Sequence, residues 1–240
     1  MVGFAHRGNC IDYPENTILA FQKALETGIG AIELDVHLCK DNKLVVIHDE
    51  TTERTFTKRL VIRDTNYVDI TDLVPRRVFF RETQQCGVPL LEDVIKLMEP
   101  YKDVVLNVEL KTDVYEYTGI EQLVIDLLNK YNFKDRTILS SFNHETLKKC
   151  KAIDPTFYLA ALHFLRCDTM VEDAVENGFK AINVCVEMFL TENIVPKAHD
   201  NGLKVNVYTV NEPEIMRKLA QIEVDGIFTD DAALLLEVFK

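Results

Sequence analysis

The chain has no stretch approaching the roughly 20 consecutive apolar residues that a bilayer-spanning helix needs. Its first apolar run, Val2-Gly3-Phe4-Ala5, ends at His6. Nothing resembles a signal peptide or membrane anchor, so a cytoplasmic chain without stable membrane insertion is expected. There is no basic block either: 39 acidic against 27 basic residues leave a net charge of −12. Phosphate neutralisation dominates nucleic-acid affinity, so this balance argues against nucleic acid as a partner, and equally against an anionic membrane surface. No C-x-x-C pair occurs among the six cysteines, Cys10, Cys39, Cys86, Cys150, Cys167 and Cys185. Scattered thiols of this kind read as reduced residues of a cytosolic protein. Low-complexity segments and linkers are missing, and no feature speaks for a particular oligomeric state.

What is present is ample for a core, since 47% of the 240 residues are hydrophobic. Three segments share one grammar: ETGIGAIELDV (26–36), ENGFKAINVCV (176–186) and DNGLKVNVYTV (200–210). Each reads as a helix end, a glycine at positive φ, a short loop and a β-strand. Helical periodicity precedes several strands, with Ile18, Phe21, Ala24 and Leu25 on one face. Further stripes are Ile120, Leu123, Val124 and Leu127, and Leu147, Cys150 and Ile153. Asn16 and Asp230 are placed to cap the helices that follow them.

Eight strand-like runs alternate with helices or a long excursion: VGFAHR, AIELDVHL, VVLNVELK, TILSSF, FYLAALHF, AINVCVE, KVNVYTV and GIFTD. KLVVIHD (43–49) is an additional run. Alternation of this kind implies parallel strands with crossover helices, and eight units in this length fit a closed (β/α)8 TIM barrel. The expected organisation is a single α/β barrel domain over residues 1–240. Residues 50–87, polar and irregular, form an inserted excursion.

Within a strand, residues two apart face the same way. Glu33, Asp35 and His37 therefore share one face of the second run, and Asn107, Glu109 and Lys111 one face of the third. Helices cover the outside of a barrel, so these polar faces point inward. Three converging carboxylates repel one another, and a cation is one remedy; hard oxygen ligands suit Mg²⁺ or Ca²⁺. From spacing alone, a salt-bridge layer with Arg7 and Lys111 is the alternative arrangement; it is less attractive because the charges fall late in their strands, where barrel active sites sit. His6 and His48 end the first and the additional run, beside these acids. Either alone fits a structural histidine; together they fit an acid–base pair. His144, His163 and His199 read as structural. Asn206 and Tyr208 share the inner face of their strand and are candidates for the substrate pocket, with His37 a weaker candidate.

These residues fall in a series of motifs: AHRG (5–8), PENT (14–17), AIELDVHLCKDNKLVVIHDE (31–50), VPLLEDVIKL (88–97), LNVELK (106–111), SSFN (140–143), VNVYTVNE (205–212) and GIFTD (226–230). In that order the chain resembles the glycerophosphodiester phosphodiesterases. The resemblance implies a (β/α)8 barrel with an insertion and a divalent-metal hydrolase, using Mg²⁺ or Ca²⁺. Such an enzyme cleaves a small-molecule glycerophosphodiester to glycerol 3-phosphate and an alcohol. It places the metal ligands on Glu33, Asp35 and Glu109, the catalytic histidines on His6 and His48, and the phosphate contacts on Arg7 and Lys111. The chain departs from the pattern at Cys39 (usually Thr), Asn42 (usually Gly), Leu90 (usually Thr) and Tyr208 (often Trp). Three other readings share parts of this site. One is a cyclic-phosphate-forming barrel phosphodiesterase. Another is a lysophospholipase D with an apolar groove built from Val74, Val78, Phe79 and Phe80. The third is a non-catalytic glycerophosphodiester-binding protein.

Overall fold

The computed structural model describes residues 1–164, 168–189 and 194–240; Cys167 lies outside them. Among the described residues nine strands form one sheet: β1 (Val2–Ala5), β2 (Ala31–Leu38), β3 (Leu44–Val46), β4 (Val105–Leu110), β5 (Thr137–Ser141), β6 (Tyr158–His163), β7 (Ala181–Cys185), β8 (Lys204–Tyr208) and β9 (Gly226–Thr229). β1 pairs in parallel with both β9 and β2, which closes an eight-stranded parallel barrel. The fold is thus a TIM barrel with surrounding helices. β3 is not a barrel stave: it adds antiparallel to the far end of β2, pairing Val36 with Val46 and Leu38 with Leu44.

The alternation in β2 and β4 decides what faces where. Ile32, Leu34, Val36, Leu106, Val108 and Leu110 are fully buried and join the main core under the helices. Burying a side chain of this size stabilises by about 1.5–3 kcal/mol. Their neighbours Glu33, Asp35, Asn107 and Glu109 are left for the barrel interior. The register sets Glu33 against Asn107 and Asp35 against Glu109. Lower in the interior, the Phe4 and Phe228 rings stack at 4.4 Å. Gly226 is required there: a Cβ would lie 2.4 Å from Asn206 Oδ1 and 2.6 Å from the Phe4 ring.

The three repeated glycines, Gly28, Gly178 and Gly202, have φ of 86°, 68° and 73°. Asn42, where glycine is usual, takes the same region at φ 57°, which asparagine tolerates. Two helical stripes differ from expectation. Leu123 and Ile153 are each 38% exposed, while Ile125 and Leu128 are buried on the first helix and Thr146 on the second. The helices rest on a twisted barrel, so their buried face drifts from the stripe that apolar periodicity picks out. The predicted caps are also displaced by one residue. Thr17 Oγ1 and the Asp231 carboxylate accept the helix N–H groups of Ala20 and Leu234.

The excursion carries a small core of its own. Phe56, Ile62, Ile70 and Leu73 bury against Val45, Ile47 and Val88. Its backbone is a helix over Tyr67–Thr71 and three 3-10 turns, with isolated bridges Thr51–Val61 and Phe56–Pro75.

Of the three histidines read as structural, His144 bonds the Leu162 carbonyl and His199 bonds Asp225. His163, at the end of β6, has its ring 4.9 Å from that of His144 and its Nε2 without a partner among the described residues. Burial, then the nearby His144, lowers its pKa from 6.5 to about 4. The unfolded chain therefore takes up a proton at His163 as pH falls below 6.5, while the folded chain resists until about 4. The stabilisation is complete above the higher value and is lost as pH falls through that window; its ceiling is about 3 kcal/mol. In chemical denaturation at pH 7 and pH 4.5, His163→Phe is expected to lose less stability than the wild type. Equal losses in the two proteins would show that His163 does not titrate in this way.

Candidate active site

The strands end where the candidate residues begin. β1 stops at Ala5, so His6 and Arg7 lie just past its C-terminal end. Arg7 adopts φ 55° and Gly8 φ 85°. A Cβ on Gly8 would meet the backbone carbon of Ala20 at 2.7 Å. The glycine lets this turn lie flat on the helix Ile18–Thr27 and aims His6 and Arg7 into the barrel. His48 follows β3 by two residues, where β3 folds back along β2.

A cavity of about 440 Å³ opens at this end. His6, Arg7, Glu33, His48, Glu109 and Tyr208 line it, together with Asn107, Asp113, Ser140, Phe142, Leu162, Phe164, Thr209 and Phe228. Asp35 and Lys111 stand immediately behind. The Lys111 ammonium donates to Glu109 Oε1 at 2.8 Å and lies 3.5 Å from His48 Nε2. The backbone N–H of Arg7 donates to Glu33 Oε2 at 2.9 Å, and its Nε is 3.3 Å from Asp35 Oδ2.

Glu33, Asp35 and Glu109 each bring an oxygen to within 4.8 Å of the others. They are 3%, 1% and 8% exposed, so water screens them little. Burial and then the charges of Asp35 and Glu109 push Glu33 well above the usual carboxylate range. Burial pushes Glu109 up as well, with Lys111 opposing. Burial would raise Asp35 too, but Arg7, His48 and Lys111 hold it below the usual range. Asp35 Oδ1 is buried with no donor among the described residues. An anionic oxygen left without a partner amid two further carboxylates fits a group that takes a hard divalent cation.

Each histidine is oriented by its own carboxylate. His6 Nδ1 pairs with Asp230 Oδ1 at 2.7 Å, and His48 Nδ1 with Asp49 Oδ1 at 2.5 Å. Asp230 also accepts from Cys10 Sγ at 3.0 Å and from Asn211 Nδ2 at 2.7 Å. Burial lowers the pKa of His6, opposed by the hydrogen bond that its Nδ1–H donates to Asp230. Arg54, from the excursion, ties the two halves together. It bonds both oxygens of Asp49, at 2.7 and 3.1 Å, and both oxygens of Glu15, at 2.5 and 2.7 Å. Glu15 in turn accepts from Arg7 Nη1 at 3.0 Å.

Two pocket candidates lie elsewhere. Asn206 faces the barrel interior but bonds Asn183 Oδ1 at 2.8 Å. It lines a separate cavity of about 370 Å³ with Met1, Phe4 and Arg136, at the opposite end of the barrel. His37 is fully buried and does not line the active-site cavity. Its ring nitrogens pair with Tyr117 Oη and with the His48 carbonyl, both at 2.9 Å, so it steadies the His48 turn. The apolar quartet of the excursion is also displaced. Val74, Val78 and Phe79 are 40%, 68% and 96% exposed, and neither they nor Phe80 line the cavity. Arg77 fixes them facing outward by donating to the carbonyls of Cys10, Ile11 and Tyr13. The cavity's apolar wall comes instead from Phe142, Leu162, Phe164 and Phe228.

Sequence reasoning passed over Asp230 and Asn16 as caps. Asn16, at φ 54°, instead donates to Asp35 Oδ2 at 2.8 Å. It also passed over Glu15, Asp49 and Arg54. Glu15, Asn16, Asp49 and Asp230 all lie inside the quoted motifs, which was the available signal; Arg54 lies outside them.

The profile of the "Glycerophosphoryl diester phosphodiesterase family" matches residues 6–234. Glycerophosphodiester phosphodiesterase from Caldanaerobacter subterraneus subsp. tengcongensis is 35% identical over 240 residues, covering 98% of this chain and 96% of its own. YqiK of Bacillus subtilis is 38% identical over 231 residues, covering 95% and 93%. Among solved structures, an Oleispira antarctica phosphodiesterase in complex with the product sn-glycerol-3-phosphate superposes with a TM-score of 0.90. It shares 25% identity and covers 100% of this chain and 96% of its own.

Since Asp230 raises the His6 pKa against burial, Asp230→Asn is expected to move the His6 midpoint further down in an NMR titration of the imidazoles. An unchanged or higher midpoint would contradict the pairing.

Proposed function

The chain belongs to the glycerophosphoryl diester phosphodiesterase family, and we propose that it hydrolyses glycerophosphodiesters to glycerol 3-phosphate and an alcohol by two-histidine acid–base catalysis assisted by a divalent metal. The observation that carries this reading is the convergence of His6, His48, Arg7 and the Glu33–Asp35–Glu109 cluster on one cavity. Residues 1–240 act as one catalytic domain on this reading. The 50–87 excursion belongs to its site, because Arg54 reaches Glu15 and Asp49. The five described cysteines are free thiols and no described helix is long and apolar enough to cross a membrane, which supports a cytoplasmic location.

Glu33, Asp35 and Glu109 would hold the metal, Mg²⁺ or Ca²⁺. When bound, the ion supplies neutralisation of the charge that builds on the phosphate oxygens. Arg7 keeps Nη2 for a phosphate oxygen while Glu15 holds Nη1 and Asp35 lies beside Nε, and Lys111 adds a second fixed positive charge beside Glu109. Asp230 occupies Nδ1 of His6 and Asp49 occupies Nδ1 of His48, so Nε2 of each ring is the nitrogen that moves a proton. One histidine accepts the proton of the attacking oxygen and the other protonates the departing alkoxide. The lowered pKa of His6 keeps it neutral and suits it to accept. Phe142, Leu162 and Phe228 exclude water from one wall, and Tyr208 donates to the His163 carbonyl at 2.8 Å, which fixes its ring at the rim.

His6→Ala and His48→Ala are each expected to lower kcat about 10²–10⁴-fold, with an unchanged circular dichroism spectrum. The assay is release of glycerol 3-phosphate from glycerophosphocholine; near-normal turnover in either variant would contradict the paired roles. The metal has a readout independent of turnover. Saturating Mg²⁺ or Ca²⁺ at a hundred times Kd is worth about 2.7 kcal/mol, or on the order of 5–10 °C in Tm for a chain of this size. Glu109→Gln should shrink the shift; a wild-type Tm indifferent to divalent ions would contradict the assignment.

A further inference from the structure

Behind His6 and Arg7 lies a second cavity of about 440 Å³, between the 10–15 loop and the excursion. It shares His6 and Arg7 with the active-site cavity, so the two adjoin at the residues assigned to the reacting phosphate. Its walls carry four arginines, Arg7, Arg54, Arg76 and Arg77, against two carboxylates, Glu15 and Asp230. Both carboxylates are already engaged. Glu15 takes Arg7 and Arg54, and Asp230 takes His6, Cys10 and Asn211. Arg76 and Arg77 form no ion pair among the described residues. Arg76 donates through Nε to the Glu53 carbonyl at 2.6 Å, and its terminal nitrogens have no partner among the described residues. Arg77 is fixed by its three carbonyl contacts. Two uncompensated guanidiniums, both held in place, are set in a chain of net charge −12. Such a positive concavity is local and directed, and the bulk charge of the molecule does not explain it.

We propose that this cavity is an anion subsite for a phosphate group distinct from the one hydrolysed, with Arg76 as its principal free ligand. The inference rests on the proposed phosphodiesterase reading and extends it to a substrate class: glycerophosphodiesters whose leaving alcohol bears a further phosphate. A planar guanidinium with both terminal nitrogens available matches two phosphate oxygens. Its neighbourhood with Arg7 places the second anion next to the reacting one. A free phosphate monoester offers the same chemistry, and the experiment separates the two sources.

The test compares kcat/KM for glycerophosphoinositol 4-phosphate and for glycerophosphoinositol in the wild type, Arg76→Gln and Arg76→Lys. Calorimetric titration of inorganic phosphate into the same three proteins runs alongside. The wild type is expected to favour the phosphorylated substrate on the order of tenfold at low salt, and less as ionic strength rises. Arg76→Gln should abolish the preference while leaving turnover of glycerophosphoinositol unchanged, and Arg76→Lys should retain part of it. If there is no preference but phosphate binds the wild type several-fold tighter than Arg76→Gln, the subsite stands and its ligand is the free anion. If neither substrate is cleaved yet phosphate binding still depends on Arg76, the catalytic reading fails and the subsite survives. A preference that persists in Arg76→Gln overturns the proposal. So does loss of the effect in Arg76→Lys as completely as in Arg76→Gln, which would reduce Arg76 to a support for the Glu53 turn. Equal substrates together with equal phosphate binding overturn it as well.

Discussion

Three carboxylates forced together in a place that water barely reaches set the terms for everything around them. β2 and β4 turn their apolar faces to the helices, and the register between them then puts Asp35 opposite Glu109 with Glu33 close by. The outer apolar packing favours this orientation of the strands, so the repulsion it creates inside must be relieved locally. Arg7, Lys111 and Asn16 do part of this. They leave one oxygen of Asp35 bare and two of the three acids pushed toward their protonated forms. A site in this condition fits the proposed cation, which the polypeptide does not itself provide.

The remaining polar network reads as a consequence of holding that site open. The acids sit on rigid strands, whereas both histidines sit on turns, and turns need fastening. Asp230 fastens His6 from the last strand of the barrel; Asp49 and His37 fasten His48 from below and beside. Arg54 then joins Asp49 to Glu15, which also holds Arg7, so the turn with His48 and the turn with Arg7 are tied together. This gives the excursion a reason to exist. Its small core around Phe56, Ile62 and Ile70 anchors the segment that presents Arg54, and Arg77 clamps the opposite loop.

Much of this was legible in the sequence for definite reasons. Strict alternation in AIELDVHL and LNVELK announced buried acids on the inner face, and the strand–helix grammar announced the closed barrel. Alternation tells which side of a strand a residue faces but not its depth along the barrel axis, because strand tilt and stagger set the level. Tyr208 therefore reached the active-site end while Asn206, two residues earlier, bonds Asn183 near the other. Asn16 and Asp230 were misread because helix capping and site fastening call on the same short polar side chains. Arg54 gave no signal, since a lone arginine in a segment without periodicity looks like any solvated charge.

The account's central claim is that the acid cluster is completed by one divalent ion. Calorimetric titration of Mg²⁺ or Ca²⁺ at mildly acidic pH, repeated in buffers of different ionisation enthalpy, tests this most directly by counting ions bound and protons released. One ion per chain with net release of protons is predicted, because Glu33 and Glu109 must give theirs up to coordinate. Absence of binding, or binding undiminished when Glu33, Asp35 and Glu109 are replaced together by their amides, would contradict it.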